Sequence, residues 1–238
     1  MEVIPLGDSA LIVRLRDRFE DAPNEIANEV QRVFGRLKAA AIPGVIELAP
    51  AYTTVGIFFD PVQVVAAGAK ATEVCDWLAE RIGVELSHRS RGRGDSRSAA
   101  RLVEVPVCYD PEFGVDLDEV ARHAGISNSE VVDLHSKTEY RVSCVGFTPG
   151  FPFLSGMPGK LATPRRKTPR KEIPAGSVGI GGAQTGVYPM RSPGGWNLIG
   201  RTPLRLFDPQ KTPPALLQAG DRVRFNAITR EEFDRLRS

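Results

Sequence analysis

Glycine and proline are spread unevenly along this chain of 238 residues, and that unevenness limits its folds more than any single motif. The 23 glycines and 19 prolines concentrate after Thr148. Proline cannot continue a helix or donate into the middle of a sheet, and glycine marks bends and turns. The second half is therefore expected to consist of short strands between turns. The first half keeps longer periodic segments, so two differently built domains are expected.

Ala10 to Leu15 alternates as a strand. Asp21 and Pro23 signal a helix start, and Ile26, Val30, Val33, Phe34 and Leu37 form one apolar stripe behind them. Pro43-Gly44 stops that helix. Val45–Ala49 and Thr53–Phe59 read as strands with Ala49-Pro50 as the turn, and Asp60-Pro61 breaks the second. A helix from about Thr72 to Ile82 follows. The order β-α-β-β-α predicts a small two-layer domain over residues 1–86. Residues 87–100 carry four arginines among Gly and Ser with no apolar period, which predicts a solvated basic linker.

Beyond it, Leu102–Tyr109 reads as a strand, and Asp116 with Glu119 has capping-box spacing for a helix through about His123. Ser127 or Asn128 caps another helix through about His135. Tyr140–Phe147, Ser177–Ile180, Val187–Met190, Trp196–Arg201, Leu204–Phe207 and Arg222–Phe225 are short strand candidates, and a short helix follows Thr229. Many short strands with Gly-Pro punctuation predict a β-barrel over residues 101–238, so the class is α+β.

The net charge of +2 does not argue for nucleic acid or membrane. Cys75, Cys108 and Cys144 are too scattered for a metal site or a disulfide framework, which predicts reduced thiols in a cytoplasmic protein. The first residues have no basic segment leading a long apolar run, so they do not read as a signal peptide. No HExxH or CxxC motif calls for a metal.

Four features are candidates for chemistry. The run from Ala175 to Gly186 holds Gly179, Gly181 and Gly182, whose amides suit either an oxyanion or tight turns in a barrel. It is not a P-loop, because no Gly-Lys-Ser/Thr closes it, and it is not GxGxxG, because Gln184 stands at the last glycine position. Residues 163–171, TPRRKTPRK, form an extended basic segment that suits either an anion or plain solvent. His135 is either a proton carrier or a helix-end residue favoured by the dipole. Phe147, Phe151, Phe153 and Trp196 suit an apolar pocket, with Gln184, Tyr188, Arg191 and Arg201 as its polar groups, or simply a core.

The motifs occur in a recognisable order. Gly146-Phe147-Thr148-Pro149-Gly150-Phe151 is followed by Pro164-Arg165-Arg166 and Pro169-Arg170, then Pro174-Ala175-Gly176-Ser177-Val178. Gln184-Thr185-Gly186-Val187-Tyr188-Pro189, Ser192-Pro193-Gly194-Gly195-Trp196 and Ile199-Gly200-Arg201-Thr202-Pro203 complete the series. Together they resemble the allophanate hydrolase subunit 1 family, also called the KipI or PxpB family. Arg89 to Ser98 departs from that pattern as a basic insertion.

The resemblance implies a cyclophilin-like barrel and a hetero-oligomer with a subunit 2 (PxpC-like) partner and a PxpA (LamB/YcsF-like) subunit. It implies a part in ATP-dependent opening of 5-oxo-L-proline to L-glutamate. Alternatives within the same resemblance are inhibition of a sensor histidine kinase and a carboxyltransferase-like role in a urea carboxylase or allophanate hydrolase system. Under the first reading, His135 and Arg201 are expected to be catalytic. Arg165, Gly179, Gly181, Gly182, Gln184, Tyr188 and Trp196 are expected to bind substrate or phosphate, with ATP as cofactor of the complex and no metal.

Overall fold

A computed structural model describes residues 1–18, 23–87 and 100–237. Asp21 and all but the two ends of the expected linker over residues 87–100 lie outside the described residues. The chain divides into two compact units, residues 1–99 and 100–238.

The first unit is a four-stranded antiparallel sheet with helices. Its strands are β1 (Glu2–Pro5), β2 (Ala10–Arg14), β3 (Val45–Ala51) and β4 (Thr54–Phe59), in the order β1-β2-β4-β3. Its helices are α1 (Pro23–Ala40), α2 (Pro61–Ala66) and α3 (Val74–Ser87). Val30 and Leu37 of α1 and Leu78 and Ile82 of α3 share one core with Val13, Val55 and Ile57 of the sheet.

Two details differ from expectation. Ala49-Pro50 lies inside β3, and the turn comes at Tyr52, in left-handed backbone with φ 37°. β3 is an edge strand, where a missing N–H is tolerated. Asp60-Pro61 starts a helix as well as ending a strand: the Asp60 carboxylate accepts the Val62 and Gln63 amides ahead of α2.

The second unit is a closed seven-stranded barrel in the order β10-β7-β6-β13-β5-β12-β9. Its strands are β5 (Leu102–Cys108), β6 (Glu139–Val145), β7 (Pro152–Ser155), β9 (Ser177–Gly181), β10 (Gln184–Val187), β12 (Asn197–Arg201) and β13 (Arg222–Ile228). Two further strands, β8 (Arg170–Ile173) and β11 (Ser192–Gly194), pair as a separate two-stranded sheet. Helices α4 (Leu117–Ala124), α5 (Asn128–Lys137) and α6 (Arg230–Arg237) complete the unit.

Residues 187–190 extend only one residue into β10, and Leu204–Phe207 forms no strand beyond a single bridge from Phe207 to Ala215. Ser127 caps α5 with a full capping box to Glu130. Asp116 stands at the N-cap of α4 but its side chain makes no cap hydrogen bond. That departure matters for the site.

Inside the barrel, Val105, Val107, Tyr140, Val142, Leu154, Val178, Ile180, Val187, Val223 and Phe225 form one buried cluster. A second cluster, Phe151, Ile173, Tyr188, Trp196 and Leu198, with Phe153 against it, is distinct from the first. Strand alternation explains the pair. Val178 and Ile180 point inward from β9, so Gly179 and Gly181 point outward.

Candidate functional site

The outward glycines are where the site begins. A methyl group on Gly181 would lie 2.5 Å from the Trp196 indole nitrogen. One on Gly186 would lie 3.1 Å from both Phe151 and Trp196, and one on Gly179 would lie 3.3 Å from Trp196. Gly181 and Gly186 leave room for the indole against the outer barrel wall, and Gly179 leaves room for the Trp196 Cβ and the Asn197 carbonyl beside it. Trp196 and the rings of Phe151 and Phe153 then pack edge to face, with centroids 5.4 and 6.0 Å away. Tyr188 joins Phe151 at 5.1 Å, and burial raises its phenol pKa while nearby Arg165 and Arg170 oppose that shift.

Phe147 forms the exposed rim. It adopts a left-handed φ of 69°, rare for an aromatic residue, leaves 65% of its surface to solvent, and sets its ring 5.7 Å from Phe151. Gln184 shares the outward face of β10 with Gly186.

The basic segment lies against this aromatic floor and is fastened residue by residue. Thr163 and Gly182 exchange backbone hydrogen bonds at 3.1 and 2.8 Å. The Pro164 carbonyl accepts from Asn197 Nδ2 at 2.9 Å, and the Arg166 amide donates to the Gly195 carbonyl at 2.7 Å. Arg165 stands between these anchors with its guanidinium 5.8 Å from the Trp196 ring centre. Among the described residues it has no carboxylate partner.

Its neighbours Arg166 and Arg170 do have one. Both bind the buried carboxylate of Asp116, at 2.8 Å from Arg166 and at 2.8 and 2.9 Å from Arg170. The sequence marks Arg165 and the Pro-Arg pairs, but Asp116 reads there as a helix cap. No local signal reveals that its partners lie 50 and 54 residues away.

The expected residues do not all meet here. Arg165, Gly179, Gly181, Tyr188 and Trp196 are brought together, and Gln184 and Gly182 border them. The glycine run does not form a phosphate cradle. β9 is paired on both edges, and the Gly182 amide is donated to Thr163.

Arg201 sits at the far end of β12 from Trp196, opposite Ser177. Its Nε donates to the Ala175 carbonyl at 2.8 Å, its guanidinium lies 5.8 Å from the Phe113 ring, and burial lowers its pKa. Arg191 faces Glu172 at 3.3 Å on the exposed edge of the β8–β11 sheet.

His135 lies inside the barrel, on the other side of the wall. It has no exposed surface and stacks on Phe225 with centroids 4.5 Å apart. Thr185 Oγ1, on the inward face of β10, is 2.9 Å from Nε2 and donates its proton to the Gly179 carbonyl. Nε2 must therefore carry the imidazole hydrogen, and Nδ1 accepts from Tyr109 Oη at 2.7 Å. Burial drives the His135 pKa from 6.5 down to about 3, so the ring is neutral. A neutral ring with both nitrogens engaged ties α5, β10 and the residue after β5 together, and among the described residues its hydrogen bonds go to Tyr109 and Thr185 and none to the Trp196 face.

Comparison with known proteins agrees with this architecture. Residues 1–217 match the profile of the family described as carboxyltransferase domain, subdomain C and D. The chain is 43% identical over 237 residues to PxpB, the B component of the 5-oxoprolinase of Bacillus subtilis (strain 168), covering 98% of this chain and 95% of that protein. It is 40% identical to the corresponding 5-oxoprolinase component of Escherichia coli O157:H7, over 92% and 93% of the two chains. The crystal structure of TTHA0988 superposes with a TM-score of 0.74 at 35% identity, over 92% of this chain but only 40% of that longer one. With its profile match, its near full-length relatives and its closed barrel in agreement, the chain belongs to the PxpB family of 5-oxoprolinase components.

Proposed function

We infer that this chain serves as the PxpB component of a 5-oxoprolinase, a multi-subunit, ATP-dependent hydrolase that opens 5-oxo-L-proline to L-glutamate. The observation that carries the reading is the Arg165–Trp196 pair, a prefastened cation over an aromatic floor, with no carboxylate partner among the described residues. 5-Oxoproline is a carboxylate on a small, flat lactam ring. A guanidinium suits the carboxylate, the exposed Phe147 and half-buried Phe153 rings suit the lactam ring, and the Gln184 amide at the border matches a lactam in donors and acceptors.

A lactam resists water, and ATP supplies the chemistry that activates its carbonyl oxygen. The glycine run does not fit a nucleotide phosphate, since its sheet pairing and the Thr163–Gly182 bonds engage the backbone there. We propose that ATP binds elsewhere in the complex than at this run. A subunit 2 (PxpC-like) protein and a PxpA (LamB/YcsF-like) protein are the proposed partners, and the cytoplasm is the proposed location. This chain contributes binding and orientation, with Arg165 holding the substrate carboxylate and Phe147 and Phe153, backed by buried Trp196 and Phe151, excluding water from one face of the ring.

The test is reconstitution with both partners. The complex is expected to hydrolyse ATP only when 5-oxoproline is present and to release glutamate. Arg165→Ala is expected to raise the KM for 5-oxoproline by about tenfold or more, the usual cost of losing a charged hydrogen bond. A complex that lacks this activity, while the chain blocks autophosphorylation of a sensor histidine kinase, overturns the reading.

A further inference from the structure

We propose that Asp116 is a positioning residue that presets the basic arm carrying Arg165, an inference that rests on the reading of Arg165 given above. The Asp116 carboxylate is buried and receives four donors. Oδ1 accepts from Arg166 Nη1 at 2.8 Å and Arg170 Nη2 at 2.9 Å, and Oδ2 accepts from Arg170 Nη1 at 2.8 Å and the Leu198 amide at 2.7 Å. The Asp116 amide returns a bond to the Leu198 carbonyl at 2.9 Å. Leu198 belongs to the outer cluster with Trp196. One side chain therefore connects the start of α4, the aromatic floor and two points of the arm, Arg166 and Arg170.

The charges explain why this matters for an anion. Arg165, Arg166 and Arg170 repel one another and, if unanchored, would spread into solvent. A single buried carboxylate neutralises one charge of two and fixes the geometry of both by charge-assisted hydrogen bonds. Arg166 and Arg170 follow Arg165 and are both held, and the Pro164 carbonyl before it is bound by Asn197, so the Arg165 backbone is confined before any ligand arrives. Preorganisation of this kind lowers the entropic cost of binding and acts on substrate affinity. The Arg166 Nε–H is buried without a hydrogen-bond partner among the described residues, and the triad keeps a net positive charge beside the floor.

The experiment is a double-mutant cycle on the reconstituted complex, with KM and kcat read separately. Asp116→Asn keeps the shape and two acceptor lone pairs but removes the charge. It is expected to raise the KM for 5-oxoproline by about tenfold with kcat changed by less than about twofold. In an Arg165→Ala background the same substitution is expected to add less than about twofold, because its effect passes through Arg165. Multiplying effects in the double variant, or an unchanged KM in folded Asp116→Asn complex, would overturn the positioning role while leaving the Arg165 site standing.

An unchanged KM for Arg165→Ala alone overturns the site itself and this inference with it. Should Asp116→Asn fail to assemble, Arg170→Gln removes two of the four donors and leaves the carboxylate intact. It must then show the same KM-selective, Arg165-dependent pattern, and a fall in kcat instead would refute the proposal.

Discussion

At the scale of single residues, the glycines and the histidine show how differently two sequence signals translate into space. A glycine-rich run is visible in any sequence, but its cause is not. Here the cause is the Trp196 indole, and the run and the tryptophan are joined only by the pairing of β9 with β12. Gly181→Ala would push a methyl into the indole, 2.5 Å from Nε1. The expected cost is about 1–3 kcal/mol of barrel stability, as for other overpacked sites. The check is urea unfolding followed by the fluorescence of Trp196 in a Trp77→Phe background, where a displaced indole would also shift the emission.

His135 is legible in the sequence as a polar residue at a helix end, and its fate is decided by Phe225 and Thr185, far along the chain. Its pKa is about 3 when folded and near 6.5 when unfolded, so between those values the unfolded chain binds a proton that the folded chain refuses. Stability is therefore full above about pH 6.5 and falls as the pH drops, by about 1.4 kcal/mol per unit. The difference in unfolding free energy between wild type and His135→Gln should narrow steadily from pH 6.5 downward. A difference independent of pH would mean that the ring is not held neutral.

At the scale of elements, the two helix starts Asp116 and Ser127 look alike in sequence and behave differently. Ser127 and Glu130 form the expected box, with the Ser127 amide donating to the Glu130 carboxylate at 2.8 Å. Ser127→Ala should cost about 1 kcal/mol of barrel stability, with little change in substrate KM. Asp116→Ala should do the opposite in kind, loosening the arm while α4 keeps its start. Hydrogen exchange in residues 117–120 compared with residues 164–170 separates these outcomes.

Long periodic elements such as α1 and β13 are readable because burial on one face writes a period into the sequence. β7, β8 and β11 are not. They are three or four residues long and contain or adjoin prolines, too short to show alternation. The candidate site is built largely from such pieces, and so its residues can be named in sequence while its geometry cannot.

At the scale of the molecule, the barrel exists because its first and last strands meet. β5 and β13 run parallel over seven register pairs, from Arg222 opposite Leu102 to Ile228 opposite Cys108. They are about 120 residues apart in sequence, so their closure is the most costly loop the chain must form. A buried carboxylate secures the seam. Asp221 bonds the Arg101 guanidinium and accepts the Gln218 amide at 2.9 Å, and its carbonyl accepts the Val142 amide at 2.9 Å from β6. Arg101 is half exposed, so the pair alone is worth little; the cost of Asp221→Ala lies in losing the hydrogen bonds that anchor the seam. A loss of about 1 kcal/mol is expected, the usual net worth of an intramolecular hydrogen bond. Because the seam is the longest-range pairing in the barrel, its loss should appear first as faster hydrogen exchange in residues 102–108 and 222–228. The β9–β10 hairpin, closed by local contacts, should keep its protection. Equal loss of protection in all four strands would show instead that the barrel opens only as a whole, and that its closure has no weakest point at the junction of its ends.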